Sequence, residues 1–310
     1  MRMTEKCRCG QDAIYFRRHE GRHYCRDCLI AQIEKNVRRT VRENGLIKSG
    51  DRIAVALSGG KDSAALLCIL KKYEKAFHIS VCAITVDEGI AGQTEKTIDA
   101  AKKVAKQLAV EHHIFSFENE FGIRIDSIKN RIAEKEINYC TYCGVLRRSL
   151  LNRKAREIGA NKLAVGINLD DEAQSILMNF LRGDLSQFQR LGANPIIIED
   201  EKFAARIKPL RNLPESETEL YAALNGLVFH KGRCIMPTDT MRWNIKDMLN
   251  ALEEQRPGIK LQIASFYDRL KPMITKSTGE QVGYCRCGEP TSQGRCRTCV
   301  LLEELGVSGK

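Results

Sequence analysis

Arg52-Ile53-Ala54-Val55-Ala56-Leu57, running into Ser58-Gly59-Gly60-Lys61-Asp62-Ser63, is the stretch whose reading decides the fold. The first six residues form a short apolar run that reads as a buried strand. Two glycines then break it, and Ser63–Lys72 reads as a buried helix. A strand that passes through a glycine turn into a helix directs backbone N–H groups, a helix N-terminus and a lysine at one point, where they suit a phosphate. This is not a Walker A loop, which would need Gly at Val55 and Ser or Thr at Asp62.

Outward from this turn the pattern alternates. Ile79–Val86, His113–Phe117, Lys162–Ile167 and Ala205–Leu210 read as further strands. Glu95–Leu108, Gly144–Ile158 (Leu146, Leu150, Leu151 and Ile158 inward) and Asp170–Arg182 (Ala173, Ile176, Leu177, Phe180 and Leu181 on one face) read as helices. Such alternation predicts an α/β fold, an open parallel five-stranded sheet with helices on both faces. From Thr240 the pattern turns helical. The expected division is an N-terminal metal module with its linker helix at 1–45, a catalytic domain at 46–239, C-terminal helices at 240–272 and a second metal module at 273–310.

The composition is that of an ordinary globular chain: 310 residues, 43% hydrophobic and 29% charged. No stretch approaches 18 consecutive apolar residues, and the N-terminus lacks the apolar segment of a signal peptide, so a cytoplasmic location with no membrane contact is expected. Net charge is +11. Residues 1–50 hold 12 Lys and Arg against 6 Asp and Glu, a bias that favours a polyanionic partner.

Thirteen cysteines in a chain without a secretory signal read as metal ligands rather than disulfides. Cys7-x-Cys9 with Cys25-x2-Cys28, and Cys285-x-Cys287 with Cys296-x2-Cys299, are each a four-thiolate set suited to tetrahedral zinc. Metal binding would stabilise modules this small by roughly 10–16 kcal/mol. Cys140 and Cys143 form a pair that does not fill a metal site. Cys234, in the polar loop from His230, is the candidate third ligand, and on spacing alone it is as readily a buried thiol. His230 could complete a Cys3His site instead. Cys68 and Cys82 fall within apolar segments and read as core. Asp87 ends the second strand, either beside a nucleotide or as a loop carboxylate. Gly166-Ile167-Asn168-Leu169-Asp170-Asp171 leaves the fourth strand at the carboxyl edge, with one aspartate as helix cap and the other facing magnesium or substrate.

The loop Ser58–Ser63 resembles the PP-loop of adenine-nucleotide α-hydrolase-like ATP pyrophosphatases. With Asp87-Glu-Gly-Ile90, Tyr139-Cys-Thr-Tyr-Cys-Gly-Val-Leu-Arg-Arg148, Asn168-Leu-Asp-Asp-Glu-Ala-Gln174, Leu177-Met-Asn-Phe-Leu-Arg-Gly-Asp184 and the terminal Cys296-Arg-Thr-Cys-Val-Leu-Leu-Glu303, nearly the whole chain is similar to the family of tRNA 2-thiolation enzymes. Leu177–Asp184 and the Val300–Glu303 ending are closest to its NcsA-like branch, which acts at wobble uridine 34 rather than at position 54. The Cys-x-Cys halves depart from the commoner Cys-x2-Cys.

The resemblance implies an ATP-dependent tRNA-uridine 2-sulfurtransferase that forms AMP and pyrophosphate. Ala56, Ser58, Gly59, Gly60, Lys61, Asp62, Ser63, Asp87, Gly166 and Asp171 would bind ATP with Mg2+. Cys140, Cys143 and Cys234 would hold a 4Fe–4S cluster, and the two terminal sets would hold zinc. Asp62, Arg147 and Asp171 would lie at the reacting centre. Implied partners are tRNA, a sulfur donor (free sulfide or a ubiquitin-like thiocarboxylate carrier) and a second copy in a homodimer. The alternatives are thiolation at position 54, a cluster-free persulfide on Cys143 or Cys234, a PP-loop enzyme adenylating another carbonyl, and a zinc-ribbon RNA-binding protein without catalysis.

Overall fold

The computed structural model describes residues 5–128, 139–193, 204–232, 234–235, 240–275, 283–291 and 294–307. An antiparallel hairpin, β1 (Tyr15–Arg17) and β2 (Arg22–Tyr24), leads into α1 (Arg26–Glu43). Leu29, Ile33, Val37 and Val41 recur every four residues along α1 and form its buried stripe. Next come β3 (Arg52–Ala56), α2 (Lys61–Phe77), β4 (Ser80–Asp87), α3 (Thr94–Gln107), β5 (Glu111–Ser116) and the short α4 (Phe117–Phe121). Then follow α5 (Tyr139–Glu157), β6 (Lys162–Ala164), α6 (Leu169–Leu181), α7 (Leu185–Gln189), β7 (Ala205–Ile207) and α8 (Glu215–Leu224). The chain continues through α9 (Thr240–Gln255), α10 (Ile259–Thr275), a small antiparallel pair β8 (Gly283–Tyr284) and β9 (Pro290–Thr291), and α11 (Arg297–Glu304).

β3 to β7 form the expected five-stranded parallel sheet, in the order β5-β4-β3-β6-β7. β3 is central, and its residues alternate between two cores as the pleat requires. Ile53 and Val55 join Leu66, Leu67 and Leu70 of α2 and Tyr221 of α8 on one face. Ala54 joins Leu146 and Leu150 of α5 and Leu301 and Leu302 of α11 on the other. Strand order reverses between β3 and β6, so the loops leaving those two strands diverge over a crevice at the carboxyl edge. That is where an open α/β sheet binds its ligands.

Four local features differ from expectation. α5 already includes Tyr139 rather than starting at Gly144, because Tyr142 is wholly buried and donates to Glu304 of α11 at 3.0 Å, anchoring the cysteine segment as helix. Phe180 and Leu181, placed on the inward face of α6, are 70% and 56% exposed, since the last turn of α6 runs past the packing of α9 and α10. The cap of α6 is Asn168 rather than an aspartate: it accepts the Asp171 N–H at 3.0 Å, and Asp171 accepts the Asn168 N–H in return. Finally, α8 had no expected counterpart.

Candidate active site

The glycine turn after β3 is held by its own hydroxyls. Ser63 Oγ donates to the Gly60 carbonyl at 3.0 Å and accepts the Ser58 N–H at 3.1 Å; the Ser58 and Ser63 hydroxyls also lie 3.1 Å apart. Gly59 has φ +76°, and a β-carbon there would run into the Thr97 carbonyl of α3, so both conformation and space require glycine. Gly166, leaving β6, packs against the first turn of α2; a β-carbon would stand 3.0 Å from the Ser63 nitrogen. The two loops at the strand-order reversal therefore touch through backbone.

Lys61 and Asp62 enter α2 already partnered. Lys61 Nζ donates to Asp62 and to Glu215 of α8, each at 2.9 Å. Asp62 Oδ1 accepts from Asn168 Nδ2 at 3.1 Å and from the Thr218 hydroxyl. Burial resists ionisation of Glu215, but hydrogen bonds from Lys246 and Lys61 hold its pKa down at about 2. Asp171 moves the other way: burial, then the nearby Asp62 charge, push it up to about 6. Two carboxylates at one site, one of them resisting ionisation, are a donor set that a divalent cation would relieve.

The crevice opens into a cavity of about 1160 Å³. Ala56, Ser58, Gly60, Asp62, Ser63 and Gly166 line one part of it, and Gly144, Arg147 and Arg148 of α5 another. Asp87 accepts the Gly89 N–H at 2.8 Å and shapes the turn after β4, in the manner of a loop carboxylate. The next residue, Glu88, pairs with Arg147 at 3.1 Å.

Cys140 and Cys143 lie one turn apart near the start of α5. The segment carrying Cys234 crosses above the glycine turn: the His230 N–H donates to the Gly59 carbonyl at 2.8 Å, and the Ile235 N–H to the Gln93 side chain at 2.9 Å. Burial first, then the charges of Glu88, Cys234 and Cys140, push the Cys143 thiol up to about 11, against the pull of Arg147. Cys143 is thus within electrostatic reach of both Cys140 and Cys234.

The terminal sets are tighter. In each, four sulfurs lie within 4.8 Å of one another. Cys9–Cys25, Cys285–Cys299 and Cys287–Cys296 are 3.5, 3.7 and 3.6 Å apart. A tetrahedron of metal–sulfur bonds about 2.3 Å long has edges of roughly 3.8 Å, so both sets fit a single zinc-sized ion despite the Cys-x-Cys half. In both, the third cysteine, Cys25 or Cys296, stands at the N-cap position of a helix, α1 or α11. N–H groups of Cys9 and Cys25 lower the Cys7 thiol to about 6. Among the described residues these are the compact sets, and Cys140, Cys143, Cys234 and His230 form none. A wider trio suits a multi-iron cluster, whose thiolates bind different corners, better than one ion. Cys68 and Cys82 are buried in the core, as expected.

Residues 29–234 match the PP-loop domain family. The chain is 37% identical to the tRNA 2-thiolation protein NcsA of Haloferax volcanii, over 96% of this chain and 98% of that one. The chain belongs to the tRNA 2-thiolation family of PP-loop proteins. Cytoplasmic tRNA 2-thiolation protein 1 of Drosophila yakuba, another relative, is 32% identical over 98% of this chain and 89% of its own length. Among solved structures, the U34-tRNA thiolase NcsA from Methanococcus maripaludis, described with its 4Fe–4S cluster, superposes with TM-score 0.85 at 34% identity, covering 99% of both chains. No helix among the described residues is long and apolar enough to cross a membrane.

The family signature is carried by short motifs. Glu215 and Thr218, which hold Lys61 and Asp62, are not singled out by any pattern, whereas Asn168, which also holds Asp62, opens the Asn168–Gln174 motif and precedes an acid three residues on, the signal of a capping box.

Proposed function

We propose that this protein replaces the C2 oxygen of a tRNA uridine with sulfur at the expense of ATP, at wobble position 34. The observation that supports it is a cavity lined on one side by the PP-loop and on another by Gly144, Arg147 and Arg148 of α5, which follow Cys143 in the helix, with Cys140 and Cys234 within electrostatic reach of Cys143. In this reading residues 46–239 carry the ATP chemistry, 240–272 pack beside them, and 1–45 and 273–310 are structural zinc modules. The setting is the cytoplasm, and the working unit is a homodimer.

The carbonyl oxygen of uracil is a poor leaving group. Ser58, Gly60 and Ser63 at the N-terminus of α2, together with Lys61, hold the ATP phosphates. Asp62 and Asp171 hold Mg2+, while Ala56, Gly59 and Gly166 bring backbone close to the nucleotide, with Asp87 at its ribose side. The C2 oxygen attacks the α-phosphorus and pyrophosphate departs. Sulfur then bonds to C2 and the oxygen leaves on AMP. Arg147, paired to Glu88, orients the charged groups, and the basic surface takes the tRNA backbone. Cys140, Cys143 and Cys234 would hold a 4Fe–4S cluster, which would supply a binding place for sulfide delivered free or by a thiocarboxylate carrier.

The test is anaerobic incubation with MgATP, sulfide and unmodified tRNA, followed by nucleoside mass spectrometry. We expect 2-thiouridine at position 34, AMP in equal amount, and neither product from Lys61→Ala. Thiolation confined to position 54 would reassign the substrate. AMP formed equally without tRNA, and no thiouridine, would overturn the proposal.

A further inference from the structure

α8 touches the ATP loop on one side and the N-terminal module on the other. Toward the loop, Glu215 receives Lys61 at 2.9 Å and the Thr218 hydroxyl donates to Asp62. Toward the module, Arg17 of β1 donates Nε and Nη2 to the two carboxylate oxygens of Glu217, both at 2.7 Å. Each of these side chains is 1% exposed. Tyr221 donates to Glu34 of α1 at 2.8 Å, and Arg26 donates to the Leu224 carbonyl at 2.7 Å in the last turn. The Arg17 guanidinium is itself held within the hairpin, by Glu20 at 3.1 Å and by the Tyr24 ring at 5.0 Å.

We infer that the N-terminal cysteine module positions the ATP loop through the Arg17–Glu217 pair. A doubly hydrogen-bonded arginine–carboxylate pair fixes orientation as well as distance, and Glu217 lies in the same turn as Glu215 and next to Thr218. Removing the arginine leaves a buried carboxylate without a cation, so the first turn of α8 shifts or takes up a proton. Either change moves the groups that hold Lys61 and Asp62. Arg17 and Glu217 are positioning residues, since their partners are α8 and the hairpin rather than the loop. The inference rests on the loop being the ATP site.

The test compares full-length wild type, Arg17→Met, Arg17→Lys and the neutral double variant Arg17→Met/Glu217→Gln. ATP affinity is measured by calorimetry, with tRNA affinity, metal content and melting temperature measured in parallel. Arg17→Met should weaken MgATP binding about tenfold, with tRNA affinity and metal content unchanged. Arg17→Lys should recover part of the loss. The double variant has no unpaired buried charge, so it should regain thermal stability yet keep the weakened ATP affinity, which a purely structural pair would not do. It also serves if Arg17→Met fails to fold. A folded double variant with wild-type ATP affinity would overturn the positioning role alone. Wild type that does not bind ATP would remove the loop assignment and this inference together.

Discussion

Glu215 links Lys61 of the ATP loop to Lys246 of α9, at 2.9 and 2.8 Å. Its carboxyl titrates near 2 in the folded chain against an ordinary 4.5, so the native state holds the ionised form more tightly. That stabilisation is complete above about 4.5 and is lost as the pH falls toward 2. Glu215→Gln should therefore cost roughly 2 kcal/mol at pH 7, and the gap should shrink below about pH 4.5 and close toward pH 2, as read from urea melts across that range. Cys234 poses a different question. Its sequence context left ligand and core thiol equally open, and the structure places it exposed and within the electrostatic reach of Cys143. Cys234→Ala should remove labile iron and thiolation while sparing ATP binding. Cys68→Ala should keep both functions and lose roughly 1–2 kcal/mol of stability from a small cavity. Iron assays on the two purified variants decide the matter: equal iron in both would end the three-cysteine assignment.

At the scale of elements, the glycine turn has no room for a side chain at Gly59. Gly59→Ala meets both a left-handed φ and the Thr97 carbonyl, and Gly166→Ala presses on the Ser63 nitrogen. Each should weaken ATP binding at least tenfold, by calorimetry, while tRNA binding persists, since the sheet is unaffected. Gly59→Ala with normal ATP affinity would show that the nucleotide does not use this turn. Strands β3 and β4 were legible because a buried parallel strand writes itself as a continuous apolar run beside glycine. α8 was not. Glu215-Ser-Glu-Thr-Glu-Leu220 is polar, and its meaning lies in Arg17 and Lys61, which are 200 and 154 residues away from their glutamate partners. No local periodicity records that a glutamate will be buried against a distant arginine. The start of α5 was missed for a related reason: Tyr142 is anchored by Glu304 near the far end of the chain.

Across the whole molecule, the two cysteine modules are braces. The N-terminal one bears on α8, whose first turn holds Lys61 and Asp62; the C-terminal one docks α11 onto α5, with Arg156 of α5 paired to Glu289 at 2.9 Å. The terminal cysteine sets were legible because their spacing is local, whereas the central trio needed a fold to bring the segment of Cys234, which bonds to the glycine turn through His230, within reach of Cys143. Protein purified anaerobically should contain about two zinc ions per chain together with labile iron. Three zinc ions and no iron would favour a mononuclear central site.

The central claim, that the uridine C2 oxygen is adenylated before sulfur enters, is tested most directly by isotope transfer. An anticodon stem-loop carrying oxygen-18 at C2 of its wobble uracil is thiolated under anaerobic conditions, and the AMP is analysed by mass spectrometry. Adenylation of that oxygen requires one oxygen-18 in each AMP formed with each thiouridine. Unlabelled AMP accompanying full thiolation would contradict it.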